Sequence, residues 1–216
     1  MIFLSDDFER GVDGDAVGGS WTVAAGAATI STDYVYAGTR SCQNNGIMEI
    51  PLTHLDNSYS VSFWIYKKAA CTHVAIGHGD GVHSVIVYIY TDGSINYINL
   101  ANVTVDTGID ISLDSWQLIE INNINFTTTT FDLWLNGIKL FDDLQMATNA
   151  GQVNLVYLRN VDTAHDIYID NFMVKSLGEV ICKPSKANYY TTQEHDLTFY
   201  NTKEAIPKYY DTEAAE

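Results

Sequence analysis

The sequence predicts an all-β protein: an antiparallel two-sheet sandwich followed by an irregular C-terminal extension. Three observations predict it. Short runs of alternating apolar and polar residues recur along the chain, turn dipeptides separate them, and no stretch carries a convincing 3.6-residue apolar period. Composition agrees, since 46% of the 216 residues are hydrophobic, enough for a sizeable core, and only three are proline. Tyr, Thr, Ile, Val and Asn abound, and β-branched and aromatic side chains suit a pleated surface. Length alone does not divide the chain, because single all-β domains commonly reach this size.

The first clear element is Tyr59–Tyr66, with Val61, Phe63 and Ile65 on one face and Ser60, Ser62, Trp64 and Tyr66 on the other. Val85–Tyr90 alternates likewise, Val85, Val87 and Ile89 opposing Ile86, Tyr88 and Tyr90. Asp92-Gly93 then supplies a hairpin turn into a strand holding Ile95 and Tyr97. Trp116–Ile121 and Phe131–Leu135 are two more strands, and Asn136-Gly137 is a tight turn into Ile138–Phe141. Val153–Leu158 and Ile167–Val174 complete the series. Strands at this regular spacing indicate a sandwich or jelly roll.

After Leu177-Gly178 the pattern changes, dividing the chain into a sandwich over 1–178 and an extension over 179–216. The extension holds two of the three prolines and Tyr189, Tyr190, Tyr200, Tyr209 and Tyr210, with one short alternation around Leu197 and Phe199. Tyrosine is favoured at protein interfaces. Tyr189, Tyr190, Phe199, Tyr200, Tyr209 and Tyr210 are therefore assigned to docking on a partner.

Charge narrows the partners. Eleven basic residues against 27 acidic ones leave a formal net of −16, with no basic run. Such a surface repels nucleic-acid phosphates. No apolar run approaches the ~20 residues that span a membrane. The opening Met-Ile-Phe-Leu lacks the basic region of a secretory leader, which reads as a protein made in the cytoplasm. Cys42, Cys71 and Cys182, odd in number and without CxxC spacing, read as free thiols, although one disulfide stays open.

The order of motifs resembles the concanavalin A-like jelly rolls, laminin G-like modules especially. The resemblance rests on Asp6-Asp7-Phe8-Glu9 with Trp21 soon after, and on Tyr59-Ser60-Val61-Ser62-Phe63-Trp64-Ile65-Tyr66. It rests further on Trp116–Ile121 followed by Phe131-Asp132-Leu133-Trp134-Leu135-Asn136-Gly137, and on the closing Ile167-Tyr168-Ile169-Asp170-Asn171-Phe172-Met173-Val174. It covers residues 5–177 and implies two curved antiparallel sheets, but no single function, since such modules serve as lectins, glycanases, adhesion domains and virion proteins. Several relatives hold a calcium ion between the first strand and the last. By position that implies Asp7 or Glu9 with Asp170. Asp6, Asp13 and Asp15 add to the acidic crowding there, and calcium takes 6–8 oxygen ligands. A solvated acidic loop explains the same residues.

Catalysis is not expected. Glycosidases need paired carboxyl groups ~5–9.5 Å apart. The Glu-x-Asp-x-x-Glu pattern of the related glucanases is absent: Glu120 has Asn122 two residues on, Asp166 and Asp170 are too widely spaced, and Asp142-Asp143 sits in a turn with no partner visible in the sequence. His73, His78 and His83 are evenly spaced around a glycine-rich segment expected to be a hairpin loop. That spacing is not one that zinc sites favour, and no site is assigned. Trp64, Tyr66, Tyr88, Tyr90 and Trp134 all fall opposite the aliphatic positions of their strands, with Asp132 and Asn136 sharing the parity of Trp134. If these strands neighbour one another, they form an aromatic and polar face that stacks on sugar rings. The other reading packs the same rings beneath loops or against the second sheet.

Two functional classes follow. The first is a non-catalytic interaction protein of a large assembly, a virion surface component such as a capsid decoration or tail protein, partnered by its neighbours in the particle. The second is a soluble carbohydrate-binding module. A glycoside hydrolase ranks below both.

Overall fold

The computed structural model describes residues 2–55, 57–68, 74–79, 83–148, 153–160 and 165–176. Among these residues there is no helix. The strands are β1 (Ile2–Asp6), β2 (Thr22–Ala25), β3 (Ala28–Ser31), β4 (Ser41–Asn44), β5 (Ile47–Leu55), β6 (Asn57–Lys67), β7 (Val74–Gly79) and β8 (His83–Ile89). They continue as β9 (Ser94–Ile98), β10 (Thr104–Asp110), β11 (Trp116–Asn125), β12 (Thr130–Leu135), β13 (Ile138–Gln145), β14 (Val153–Asn160) and β15 (Ile167–Ser176). Sheet A runs β13-β12-β11-β6-β15-β4-β3, with β1 also paired to β15, and sheet B runs β10-β9-β8-β7-β14-β5-β2. All pairings are antiparallel. The expected all-β sandwich is therefore the observed architecture.

One core joins the sheets. Val61, Phe63 and Ile65 of β6, Ile119 and Ile121 of β11, and Phe131 and Leu133 of β12 meet Val85, Val87 and Ile89 of β8 and Val156 and Leu158 of β14 in a single buried cluster. Each such side chain contributes about 1.5–3 kcal/mol by leaving water. Because side chains alternate along a strand, the intervening residues point to the two outer faces of the sandwich.

The last two strands lie in the middle of their sheets, β14 between β7 and β5, and β15 between β6 and β4. One edge of β15 is shared end to end: Ile167–Ile169 pair with β4, and Phe172–Lys175 with β1. Between the two halves, Asn171 and Phe172 form a bulge against β6, with Asn171 at φ 47°.

Both expected turns are present. Asn136 and Gly137 have φ of 52° and 77°, the left-handed pair a two-residue hairpin needs. At Asp92-Gly93, φ of Gly93 is 96° and a Cβ there would sit 2.6 Å from the Ile111 carbonyl oxygen, so only glycine fits. Strands β1–β5, β7 and β10 were not expected. Most are four to seven residues long and polar or glycine-bearing, such as Ser-Cys-Gln-Asn in β4, so their alternation is too brief to read. The nine-residue β5 contains Pro51. There β2 pairs only with Ile47–Glu49, leaving one edge open where a missing N–H is tolerated.

The glycine-rich segment is strand rather than loop as far as Gly79, with His78 opposite Val85 and Gly79 opposite His83. His73, Cys71, Cys182 and the whole extension over 179–216 lie outside the described residues, and with them Tyr189, Tyr190, Phe199, Tyr200, Tyr209 and Tyr210.

Candidate ligand-binding cleft

Strand pairing brings a row of side chains across the outer face of sheet A. Ser5 of β1 is opposite Met173 of β15, Met173 opposite Ser62 of β6, Ser62 opposite Glu120 of β11, and Glu120 opposite Trp134 of β12. The next row holds Asp170, Trp64 and Leu118, and the row beyond it Tyr168, Tyr66 and Trp116. Where the first two rows meet, the surface opens into a cleft of about 630 Å³. Ser62, Leu118 and Met173 form its floor, with Trp64 to one side and Ser5, Asp7 and Asn171 at the rim.

The third row is roofed. The segment between β3 and β4 folds back so that Tyr36 stacks on Trp64 at 3.7 Å between ring centroids, and Tyr34 packs on Tyr66 at 4.4 Å and on Tyr168 at 4.7 Å. Trp116 meets Tyr66 and Tyr36 edge-on. Two carboxylates pin this strap. Asp170 Oδ2 accepts the backbone N–H groups of Tyr36 and Ala37, both at 3.1 Å, while its Oδ1 accepts that of Asn171 at 2.7 Å. Glu9 accepts the N–H groups of Thr39 and Arg40 at 2.7 and 2.9 Å and the Thr39 hydroxyl at 2.7 Å. Burial pushes the Asp170 carboxyl above its ordinary range, against the pull of its three amide donors and helped by the Glu9 charge. Glu9 is held below its range, first by the Thr39 hydroxyl.

These contacts bear on the calcium ligands implied by the family resemblance. Asp170 spends its oxygens on amide donors, Glu9 spends its own on two amides and the Thr39 hydroxyl, and the Arg40 guanidinium stands 3.7 Å from Glu9. Asp7 is exposed and accepts the Glu9 N–H at 3.2 Å. Calcium needs several bare oxygens, so Asp7, Glu9 and Asp170 as arranged do not fit the ion. Glu9 and Asp170 hold the strap.

The acidic group that does converge is another one. Asp132, Asp142 and Asp143 bring carboxylate oxygens within 4.8 Å of one another, close enough to hold a metal ion. Sequence spacing left Asp142-Asp143 without a partner, and the β12–β13 hairpin supplies Asp132. A cation is already present: Lys139 Nζ lies 2.9 Å from Asp132 and 2.7 Å from Asp142. Hydrogen bonds to Asp142 and then Asp132 push the lysine pKa up to about 12.

The seven residues read as one glycan face do not assemble. Trp64, Tyr66, Asp132 and Trp134 are on strands of sheet A, whereas Tyr88 and Tyr90 stack on each other, 5.9 Å apart, on the outer face of sheet B. Asp132 is buried beneath Lys139. Asn136 is a turn residue: its Oδ1 accepts the Leu118 N–H at 2.8 Å and its Nδ2 donates to Gln117 Oε1 at 2.7 Å. Tyr66 lies under the strap. Of the seven, Trp64 is the one that lines the cleft. Sequence reasoning missed Asn171, Ser62, Leu118 and Met173, whose approach depends on which strands pair.

Arg10 and Asp6 close the far end of the cleft. The pair is bidentate, Nη1 to Oδ1 at 2.6 Å and Nη2 to Oδ2 at 2.7 Å, and Asp6 also accepts the Trp21 indole N–H at 2.9 Å. Arg10 Nε donates to the Val17 carbonyl at 2.8 Å and Nη2 to that of Gly18 at 3.2 Å.

No protein-family model matches the chain, and no curated protein matches it in sequence. Solved structures do resemble it. The fold matches part of a sialidase at TM-score 0.57 and 10% identity, over 73% of this chain and 17% of that one. It matches the carbohydrate-binding module CBM66 from Bacillus subtilis at TM-score 0.52 and 9% identity, over 76% of this chain and 99% of the module. It also matches a carbohydrate esterase from the Shiga toxin-encoding bacteriophage phi24B at TM-score 0.53 and 13% identity, over 73% and 90%. The chain thus spans under a fifth of the sialidase and nearly the whole length of the other two. The class these matches define is the antiparallel β-sandwich fold, shared with CBM66.

Proposed function

We propose that this chain is a non-catalytic carbohydrate-binding module whose ligand enters the cleft beside Trp64. The observation carrying the reading is the cleft itself. An indole stands next to a floor of Leu118, Met173 and Ser62, and the rim offers Ser5, Asp7 and Asn171 for hydroxyl groups. Apolar sugar faces stack on aromatic rings, while polar rim groups replace the water that hydroxyls lose. The fold it shares with CBM66 supports the same reading.

Among the described residues, the carboxylates near the cleft do not form a working acid pair, which favours a binding role. Glu120 has Ser62 and Trp134 as its cross-strand neighbours. Asp7 follows β1, three strands away, so its carboxylate starts from roughly 14 Å, beyond glycosidase separation. Asp132 and Asp142 do not face each other across an open cleft, because Lys139 bridges them, and Asp143 donates its N–H to Asp132 and accepts the Thr130 hydroxyl.

Display on a large assembly, such as a virion, is compatible with this role, and the fold of the phage esterase favours it. That reading rests on the extension, and truncation after Gly178 tests it: particle incorporation should be lost.

Calorimetric titration with a panel of oligosaccharides tests the module. Binding should vanish in Trp64→Ala and persist in Tyr88→Ala. The opposite pattern would move the site to sheet B, and no binding by the intact chain would end the proposal.

A further inference from the structure

Resting on that reading, we infer that the cleft selects glycans without carboxylate or sulfate groups. The charge inventory around the opening carries the inference. Among the described residues, the one cation lining it, Arg10, is committed: every guanidinium nitrogen donates to Asp6, the Val17 carbonyl or the Gly18 carbonyl. A guanidinium so committed has no free edge with which to fork onto an acidic sugar.

The acids nearby are less committed. Asp7 is exposed at the rim, and its Oδ2 has no partner among the described residues. The Glu120 side chain, beside Ser62 on the floor row, forms no hydrogen bond or ion pair with a described residue. The other cations on this face lie off the cleft. Lys139 is held by Asp132 and Asp142, Arg40 by Glu9 and Thr39, Lys68 lies over the Tyr34 and Tyr168 rings, and Lys175 stands opposite Ser60, one row away. An anionic ligand would therefore meet the uncompensated Asp7 carboxylate at the rim, with Glu120 next to the floor residue Ser62 and, among the described residues, no uncommitted cation lining the cleft, within a chain of net charge −16. Like charges brought together at an interface are strongly disfavoured.

Hydrogen-bonding chemistry points the same way. Asp7 and Glu120 accept only, and so match hydroxyl and amine donors. The Asn171 carboxamide, without a partner among the described residues, adds both a donor and an acceptor.

The test pairs neutral oligosaccharides (cellobiose, maltose, lactose and chitobiose series) with their sulfated, sialylated or uronic-acid counterparts. Both sets are titrated into the full chain at low and at high salt. Neutral members should bind at least about tenfold more tightly than their acidic partners at low salt, with the gap narrowing as salt rises. The double variant Asp7→Asn/Glu120→Gln should gain affinity for acidic members relative to neutral ones, closing most of the gap between the two sets. Equal or tighter binding of acidic members by the intact chain, abolished in Trp64→Ala, would overturn this inference and leave the module standing. No binding to any member would overturn both.

Discussion

Tyr36 lies flat on Trp64, with ring centroids 3.7 Å apart and planes 16° from parallel, so a strap residue covers one face of the indole that lines the cleft. Removing the cover separates the two roles of that indole. Tyr36→Ala should lower stability by about 0.5–1.5 kcal/mol beyond the lost burial without lowering sugar affinity. Acrylamide should quench tryptophan emission more strongly in this variant, and that gain should disappear in a Trp64→Phe background.

The two carboxylates that pin the strap respond to acid with opposite signs. Glu9 is depressed below its ordinary 4.5. Its stabilisation is present above the unfolded pKa and is lost as pH falls through the folded one. Asp170 is raised, so on acidification the folded state takes up this proton before the unfolded state, which favours folding in that window. Glu9→Gln should therefore flatten the fall of Tm between about pH 5 and pH 3, and Asp170→Asn should steepen it. Melting curves across that range check both.

Lys139 stands where a metal ion would be held by Asp132, Asp142 and Asp143. Lys139→Met should lower Tm, because it leaves Asp132 buried among like charges. It should also make Tm rise with added divalent cation, by linkage to a folded-state ligand. The unsubstituted protein should melt at the same temperature in chelator and in calcium.

Cys42 is fully buried beside Met48, and burial pushes its thiol far above the ordinary range. In a Cys71→Ser/Cys182→Ser background it should resist thiol reagents until the protein unfolds. Rapid labelling under native conditions would contradict that placement.

The fold was legible because burial on one side imposes a two-residue period. Val61, Phe63 and Ile65 in β6 and Val85, Val87 and Ile89 in β8 display it over six residues or more. Site assembly was not legible in the same way. Parity says that Trp64 and Tyr88 both point away from the core, but not that their strands belong to different sheets. The role of Asp170 was equally hidden, since its amide donors at Tyr36 and Ala37 lie 134 and 133 residues away in sequence. The strap tyrosines carry no period at all, because they sit in an irregular segment and bury themselves on an outer face. Lys139 and Asp132 were separated by a turn whose type was read correctly, yet nothing in that turn announces an ion pair.

The central position of β14 and β15 governs when this molecule can become itself. Until those two segments leave the ribosome, β7 has no neighbour toward β5, and β6 none toward β4. The earlier strands then emerge as two half-sheets with raw inner edges, prone to pairing with other chains. Maturation should be late and abrupt, and a nascent chain stalled before Val153 should need a chaperone to stay in solution.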